Sequence, residues 1–296
     1  YLVAGAVVKP FEVMDAVSKG VLDAGHTVPV YWYGKSKVAS LFGSGPINGC
    51  DAPQTLAWIY RGGGLALYNE LLAKLNLDVV GFFAMPMPTQ PLGWFKKEIK
   101  QASELKGLKY RTVGLAADLF QQMGAKVTQL PGGEIIPALE KGVIDAAEFV
   151  GPADDEHLSL NKVAKYYYYP GWWEACSMYS MYVNTKEWEK LPKAYQSALE
   201  VACYEANSDM MAEYDYKNPE ALGRLMKNGV KLFGYSQDIM KAAQEAAFDM
   251  YAEEASKNPS FKKIYEPWKK FRTEQFSWIR VAEQSLAIFM LNNPVK

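Results

Sequence analysis

Arg111, Glu148, Glu174 and Gln90 are the residues of this chain whose types and settings could do chemistry together. Arg111 ends the basic, strand-like run Lys109-Tyr110-Arg111, and a guanidinium offers a planar fork that grips a carboxylate with two hydrogen bonds. Glu148 follows the run Val143-Ile144-Asp145-Ala146-Ala147, which reads as a buried strand. A carboxylate there needs an arginine or a cation beside it, because burying an unpaired charge costs too much. Glu174 follows Trp172-Trp173 and shares their aromatic surroundings, which makes Trp172 a candidate ligand contact. Two carboxylates with the amide oxygen of Gln90 form a hard, all-oxygen set that suits sodium or calcium rather than zinc. An anionic ligand could then bridge the arginine and the cation. Plainer roles stay open: a surface arginine, a solvated strand end at Glu148, and a solvated loop or helix start at Asp154-Asp155-Glu156. The tyrosines of 166–169 also read as core with wet hydroxyls.

The enzymatic templates fail. The chain has two histidines, His26 and His157, and no HExxH, GxSxG, Walker or GxGxxG motif. Gly62-Gly63-Gly64 lacks the lysine of a phosphate loop and reads as a turn or packing feature. One catalytic reading survives, a hydrolase using Glu148 and Glu174 as an acid/base pair. A net charge of -1 gives no basic field for nucleic acid or a membrane surface. No apolar run approaches transmembrane length. Cys50, Cys176 and Cys203 are too few and too scattered for a zinc site or a disulfide framework, and read as buried free thiols.

The elements that must position these groups begin with an internal repeat. Ala16 to His26 returns as Ala138 to Glu148, with six of eleven positions identical. Each copy reads as an amphipathic helix, a glycine stop and a short strand. Two such units imply two similar α/β lobes facing a cleft, with His26 and Glu148 as candidates to face it. The remaining pattern predicts strands at 28–32, 79–85, 109–113, 127–130 and 178–184. Met85 to Pro91 is expected as a rigid loop, since three prolines remove donors and fix φ. Helical patterns cover 58–75, 116–123, 188–211, 237–256 and 261–291, with Pro267 marking a break or a first turn in the last. Tyr1-Leu2-Val3-Ala4-Gly5 reads as the middle of a strand, so a further N-terminal piece is expected.

Pro131-Gly132-Gly133-Glu134 through Glu148-Phe149-Val150-Gly151-Pro152, with Asp154-Asp155-Glu156 and Tyr166 to Glu174, resembles the signature of substrate-binding proteins of tripartite ATP-independent periplasmic (TRAP) transporters. Phe11 to Val17 and Gln90…Gly93-Trp94-Phe95 fit as well. The aromatic run is similar to the subgroup that takes 2-oxoacids or lactate with a metal ion. The resemblance implies an α/β, two-lobe, periplasmic-binding-protein-like clam shell with long connecting helices and a long C-terminal helix. Lobe I would be 1–89 plus part of the C-terminal helical region, and 90–185 the core of lobe II. Residues 186–260 would supply connecting helices, and 261–296 a helix that makes a homodimer. Function follows as an expectation: a periplasmic receptor that performs no chemistry and delivers a small organic acid, a 2-oxo or 2-hydroxy monocarboxylate like pyruvate or lactate bridged by a metal ion, to membrane permease subunits. The resemblance gives Arg111 the ligand carboxylate, and calcium or sodium to Gln90, Glu148, the backbone carbonyl of Phe149, and Glu174. Two departures stand out. The loop before Gln90 is stiffer and more apolar than the family's Gly-Asn-Thr-Gly run, and Phe149 replaces a frequent Trp. The first points to a substrate larger or less polar than pyruvate; the second keeps the backbone ligand but alters the shape of the pocket. A metal-free receptor for a larger or aromatic acid, with Glu148 paired to Arg111, is the alternative.

Overall fold

The computed structural model describes residues 2–44, 47, 49–90 and 93–294. Its strands are β1 (Ala24–Thr27), β2 (Val79–Met87), β3 (Gly93–Phe95), β4 (Lys109–Arg111), β5 (Lys126–Thr128), β6 (Ala146–Glu148), β7 (Tyr166–Tyr169), β8 (Ser177–Asn184) and β9 (Lys231–Gly234). They form two sheets, one antiparallel in the order β1-β8-β2 and one mixed in the order β5-β4-β6-β3-β7-β9. The helices are α1 (Val13–Ser18), α2 (Ala52–Arg61), α3 (Gly64–Lys74), α4 (Leu115–Gln122), α5 (Ile135–Glu140), α6 (Pro152–His157), α7 (Leu160–Val163), α8 (Thr185–Lys190), α9 (Lys193–Lys227), α10 (Gln237–Lys257), α11 (Pro259–Val281) and α12 (Glu283–Asn292).

The repeat is a structural one. Gly20 and Gly142 adopt φ of +71° and +68°, the left-handed region that stops a helix. In each copy the amide right after the glycine closes the turn on the equivalent alanine carbonyl: Val21 N to Ala16 O at 2.8 Å, and Val143 N to Ala138 O at 2.9 Å. The chain then enters β1 in the small sheet and β6 in the large one. The two α/β halves are therefore built on the same helix–glycine–strand corner.

Several local expectations are corrected. Val28 to Trp32 is not a strand: Pro29 opens a 3-10 turn over Pro29–Trp32, because its ring fixes φ and removes a ladder donor. Conversely, β2 continues through Pro86 to Met87. Met85 takes φ of +66° and the register shifts between Phe83 and Pro86, so a bulge absorbs the proline on a strand that, among the described residues, pairs only with β8. Pro91 of the expected loop lies outside the described residues. Leu2 to Gly5 is irregular rather than strand, and Tyr1 also lies outside them. β9 joins β7 in parallel from within the stretch read as helical. β8, inside 90–185, pairs with β1 and β2, so the chain crosses back to the small sheet after Glu174. The last helical segment runs through Pro267 and breaks at Ala282, whose ψ is -101°.

The halves are tied in two ways. Helix α9, about 50 Å long at 1.5 Å per residue, packs on β2 of the small sheet and on α6 beside the large one. Across the cleft Val28 and Val30 pack on Val113. Next to them Gly114 has no Cβ where one would fall 2.1 Å from Val30 Cγ2. Asp118 of α4 accepts bonds from Tyr33 Oη and, at 2.8 Å, from Lys37 Nζ. Among the described residues no helix is long and apolar enough to cross a membrane.

Candidate binding site

One rim of the large sheet gathers the candidate residues. β4 and β6 are parallel, and β3 runs antiparallel to both β6 and β7. The carboxyl ends of β4, β6 and β7 and the amino end of β3 therefore share one edge, the side on which α/β sheets bind ligands. Arg111 ends β4 and Glu148 ends β6, while Glu174 follows β7 and Gln90 precedes β3. Polar residues placed straight after apolar strands are brought together because strand ends meet here.

All four side chains are buried, none more than 4% exposed. Arg111 Nη1 donates to Glu148 Oε1 at 2.6 Å and to the Glu148 carbonyl at 3.0 Å, and Nε donates to the Leu130 carbonyl at 2.8 Å. The two Nη2 hydrogens take no part in these bonds. Gln90 Nε2 donates to Glu148 Oε2 at 2.9 Å and to the carbonyl of Phe149, while its Oε1 accepts from Trp173 Nε1 at 2.8 Å. The backbone joins the last member: Gln90 N donates to the Glu174 carbonyl at 3.1 Å. The Phe149 ring lies on the bare backbone of Gly132, where a Cβ would fall 2.4 Å from Cε2. This contact gives the Pro131-Gly132-Gly133 motif its packing role.

The electrostatics divide the two carboxylates. Burial raises the pKa of Glu148, against the opposing pull of Arg111 and the hydrogen bonds from Gln90 and Thr112. Burial raises Glu174 too, and next the negative charge of Glu148 adds to the rise. Ser44 and Ser177 face Glu174 and favour its charged form, yet neither hydroxyl makes a hydrogen bond of ordinary geometry. Two carboxylates thus share one arginine, and Glu174 is the less compensated.

The residues enclose a cavity of about 320 Å³, counting its open mouth. Gln90, Arg111, Glu148, Phe149 and Glu174 line it from the large-sheet side; Val28, Val30, Tyr31, Ser44, Met87, Val113, Val150, Ser177 and Tyr179 complete it. Trp172 is not in the lining. Its ring is buried between Phe120 and Trp173, at centroid distances of 5.2 and 5.1 Å. His26 is exposed on β1 and stacks on Tyr179 beside the cavity. The far wall escaped sequence reading: Tyr31 sat in a segment read as strand, and Ser44 and Ser177 carry no signal of their own. The acidic run also needs correcting. Asp155 is 1% exposed rather than solvated, whereas Glu156 pairs with Arg224 at the surface.

Among the described residues no group of three or more His, Cys, Asp or Glu side chains is placed to hold a metal ion. A cation here would rely on two carboxylates, the Gln90 amide and the Phe149 carbonyl, a set that fits a hard ion such as calcium or sodium. It would replace the amide N–H at Glu148 and Phe149, so the Gln90 oxygen must turn toward them and give up or share Trp173.

The profile of bacterial extracellular solute-binding protein family 7 matches residues 4–258. A monocarboxylate 2-oxoacid-binding periplasmic protein of Nostoc sp. is 49% identical over 286 residues, which are 97% of this chain and 78% of that protein. A TRAP transporter solute-binding protein of Bordetella bronchiseptica superposes with a TM-score of 0.94 at 41% identity, over 98% of this chain and 85% of its own. It is a mixed-occupancy dimer with copurified calcium and picolinate in one site and the other apo. A TRAP periplasmic solute-binding protein of Pseudoalteromonas atlantica, with sodium and pyruvate bound, superposes at a TM-score of 0.89 and 33% identity, covering 94% of this chain and 84% of its own. The acid/base hydrolase reading falls with these matches, and Glu148, held by Arg111 and Gln90, is not placed as a free acid. The chain belongs to family 7 of the bacterial extracellular solute-binding proteins, the solute receptors of TRAP transporters, and is a transport protein rather than an enzyme.

Proposed function

We propose that this protein is the periplasmic receptor that delivers a small monocarboxylate 2-oxoacid to the membrane permease subunits of a TRAP transporter. Arg111 takes the carboxylate, and calcium or sodium, held by Gln90, Glu148, the Phe149 carbonyl and Glu174, bridges the ligand. The observation that carries this reading is the convergence of one arginine and an all-oxygen donor set on a single buried cavity. Pyruvate and picolinate, the ligands of the two solved relatives, both set a second donor atom beside a carboxylate. That pattern closes a five-membered chelate ring on a cation. Arg111 is the one cationic side chain among the described residues of the lining, so a second ligand carboxylate would meet no partner. Val28, Val30, Met87, Val113 and Val150 supply an apolar wall suited to a short aliphatic tail.

Calorimetry with pyruvate, with and without calcium and sodium, tests the bridge. Removing both cations is expected to weaken binding about tenfold or more, or on the order of 1.4 kcal/mol. Affinity indifferent to chelator and to sodium replacement would instead favour the metal-free receptor, in which the 2.6 Å Arg111–Glu148 pair is the whole of the anchor.

The reading includes a homodimer. Phe261, Ile264, Tyr265 and Trp268 of α11 are buried on their own chain. Beyond them Trp278 (61% exposed), Leu286 (64%), Phe289 (61%) and Leu291 (79%) leave a large apolar surface on α11 and α12. Patches of this extent mark interfaces. Light scattering at micromolar concentrations is expected to give a dimer mass, and Trp278→Ser with Phe289→Ser a monomer mass. A monomeric wild-type protein would remove the dimer from the proposal.

A further inference from the structure

Asp155 sits on α6, buried behind the cavity and outside its lining. Four donors converge on its carboxylate. The backbone amides of Val150 and Gly151 donate to Oδ1 at 3.2 Å each. Trp94 Nε1 donates to Oδ2 at 2.8 Å, and Tyr167 Oη to the same oxygen at 2.7 Å. The origin of these donors is the informative point. Val150 and Gly151 directly follow Glu148 and Phe149. Trp94 stands on β3, which Gln90 precedes, and Tyr167 stands on β7, which leads to Glu174. One carboxylate therefore ties together the three segments that carry every oxygen donor of the site.

A capping aspartate needs only the two amides at the start of its helix. The bonds to Trp94 and Tyr167 add nothing to a cap. They lock the turn after Glu148 to β3, the neighbour of β6, and to β7 beyond it, through Trp94 and Tyr167, whose rings stack with centroids 4.0 Å apart. The task also requires an acid. A carboxylate accepts on both oxygens, whereas an asparagine would aim its NH2 at two donors on one side or the other.

We propose that Asp155 is a positioning residue for solute binding: it fixes the Phe149 carbonyl and the Glu148 side chain relative to Gln90 and Glu174. The proposal rests on the assignment of this cavity as the solute site, and does not require the cation. Its test compares Asp155→Asn and Tyr167→Phe with Ile239→Ala, a buried substitution on α10 that lowers stability away from the cavity. Calorimetry uses pyruvate over a range of calcium concentrations, alongside thermal unfolding. Asp155→Asn is expected to lose about tenfold or more in pyruvate affinity and to need more calcium for half-maximal binding, the range typical of groups that orient ligating residues. Tyr167→Phe, which removes one hydrogen bond, is expected to lose about threefold. Ile239→Ala should melt earlier with unchanged affinity and calcium midpoint. Asp155→Asn binding pyruvate within about twofold of wild type would overturn the proposal, and Tyr167→Phe decides by the same criterion if Asp155→Asn does not fold. Wild-type protein that binds no pyruvate would sink the site assignment instead. In that case the indole N–H resonance of Trp173, bonded to Gln90, decides: it shifts in Asp155→Asn and not in Ile239→Ala if Asp155 sets the geometry, and stays put if it does not.

Discussion

Replacing Arg111 by lysine is expected to weaken pyruvate binding by about 100-fold or more, on the order of 2.7 kcal/mol, and to lower the melting temperature of the unliganded protein. The structure shows why a conserved charge is not enough. The guanidinium spans the Leu130 carbonyl, the Glu148 carbonyl and Glu148 Oε1 with two of its nitrogens, and keeps the two Nη2 hydrogens outside those bonds. An ammonium is a single point with three donors and cannot reach those oxygens and a ligand carboxylate together. Lysine would also leave Glu148, 1% exposed, with a poorer partner, and a buried carboxylate short of its counter-charge is destabilising. Arg224→Lys is the control. Arg224 pairs with Glu156 at the surface, and exposed pairs contribute little. Arg111→Lys binding pyruvate within about threefold of wild type would show that the carboxylate anchor lies elsewhere.

The parts of this molecule legible in sequence are those whose signal is local. A helix that must stop and turn into a strand needs a left-handed residue, and Gly20 and Gly142 announce it twice. A polar residue straight after an apolar strand marks the rim of a sheet, which is how Arg111 and Glu148 stand out. What stayed hidden depends on distant partners. Asp155 looks solvated among Asp154 and Glu156, because nothing nearby in the chain tells of Trp94 and Tyr167. Trp172 was drawn to the ligand by its closeness to Glu174. In that turn, however, neighbours point apart, so the carboxylate faces the cavity while the indole enters the core. Pro86 and Pro267 mislead for opposite reasons: an edge strand with a bulge tolerates the first, and a long helix packed on its own chain carries the second.

Neutralising Glu174 should move stability and binding in opposite directions. Its carboxylate is 4% exposed, shares Arg111 with Glu148, and is pushed up to about 8 by burial and then by the charge of Glu148. In the unfolded chain it ionises near 4.3, roughly the free glutamate value. Between these two values the folded protein holds a proton that the unfolded chain has lost. Without cation or ligand, the fold therefore loses stability as pH rises through that window, and the full penalty is present above it. Glu174→Gln keeps the shape and removes the titration. In chelator its melting temperature should match wild type at the acid end and exceed it at the alkaline end, by roughly 2–4 °C per kcal/mol. Binding should respond the other way. A hard cation needs the carboxylate charge, so calcium-dependent pyruvate affinity should fall by about 100-fold. Glu148→Gln is the informative contrast, because it strips Arg111 of its partner and should lose stability as well as affinity. Glu174→Gln that melts with wild type at every pH and binds as tightly would show that this carboxylate neither strains the empty cavity nor serves the filled one. The predicted split instead describes a receptor whose empty cavity keeps a proton on Glu174 below about pH 8, one that must leave when a cation and its acid arrive together.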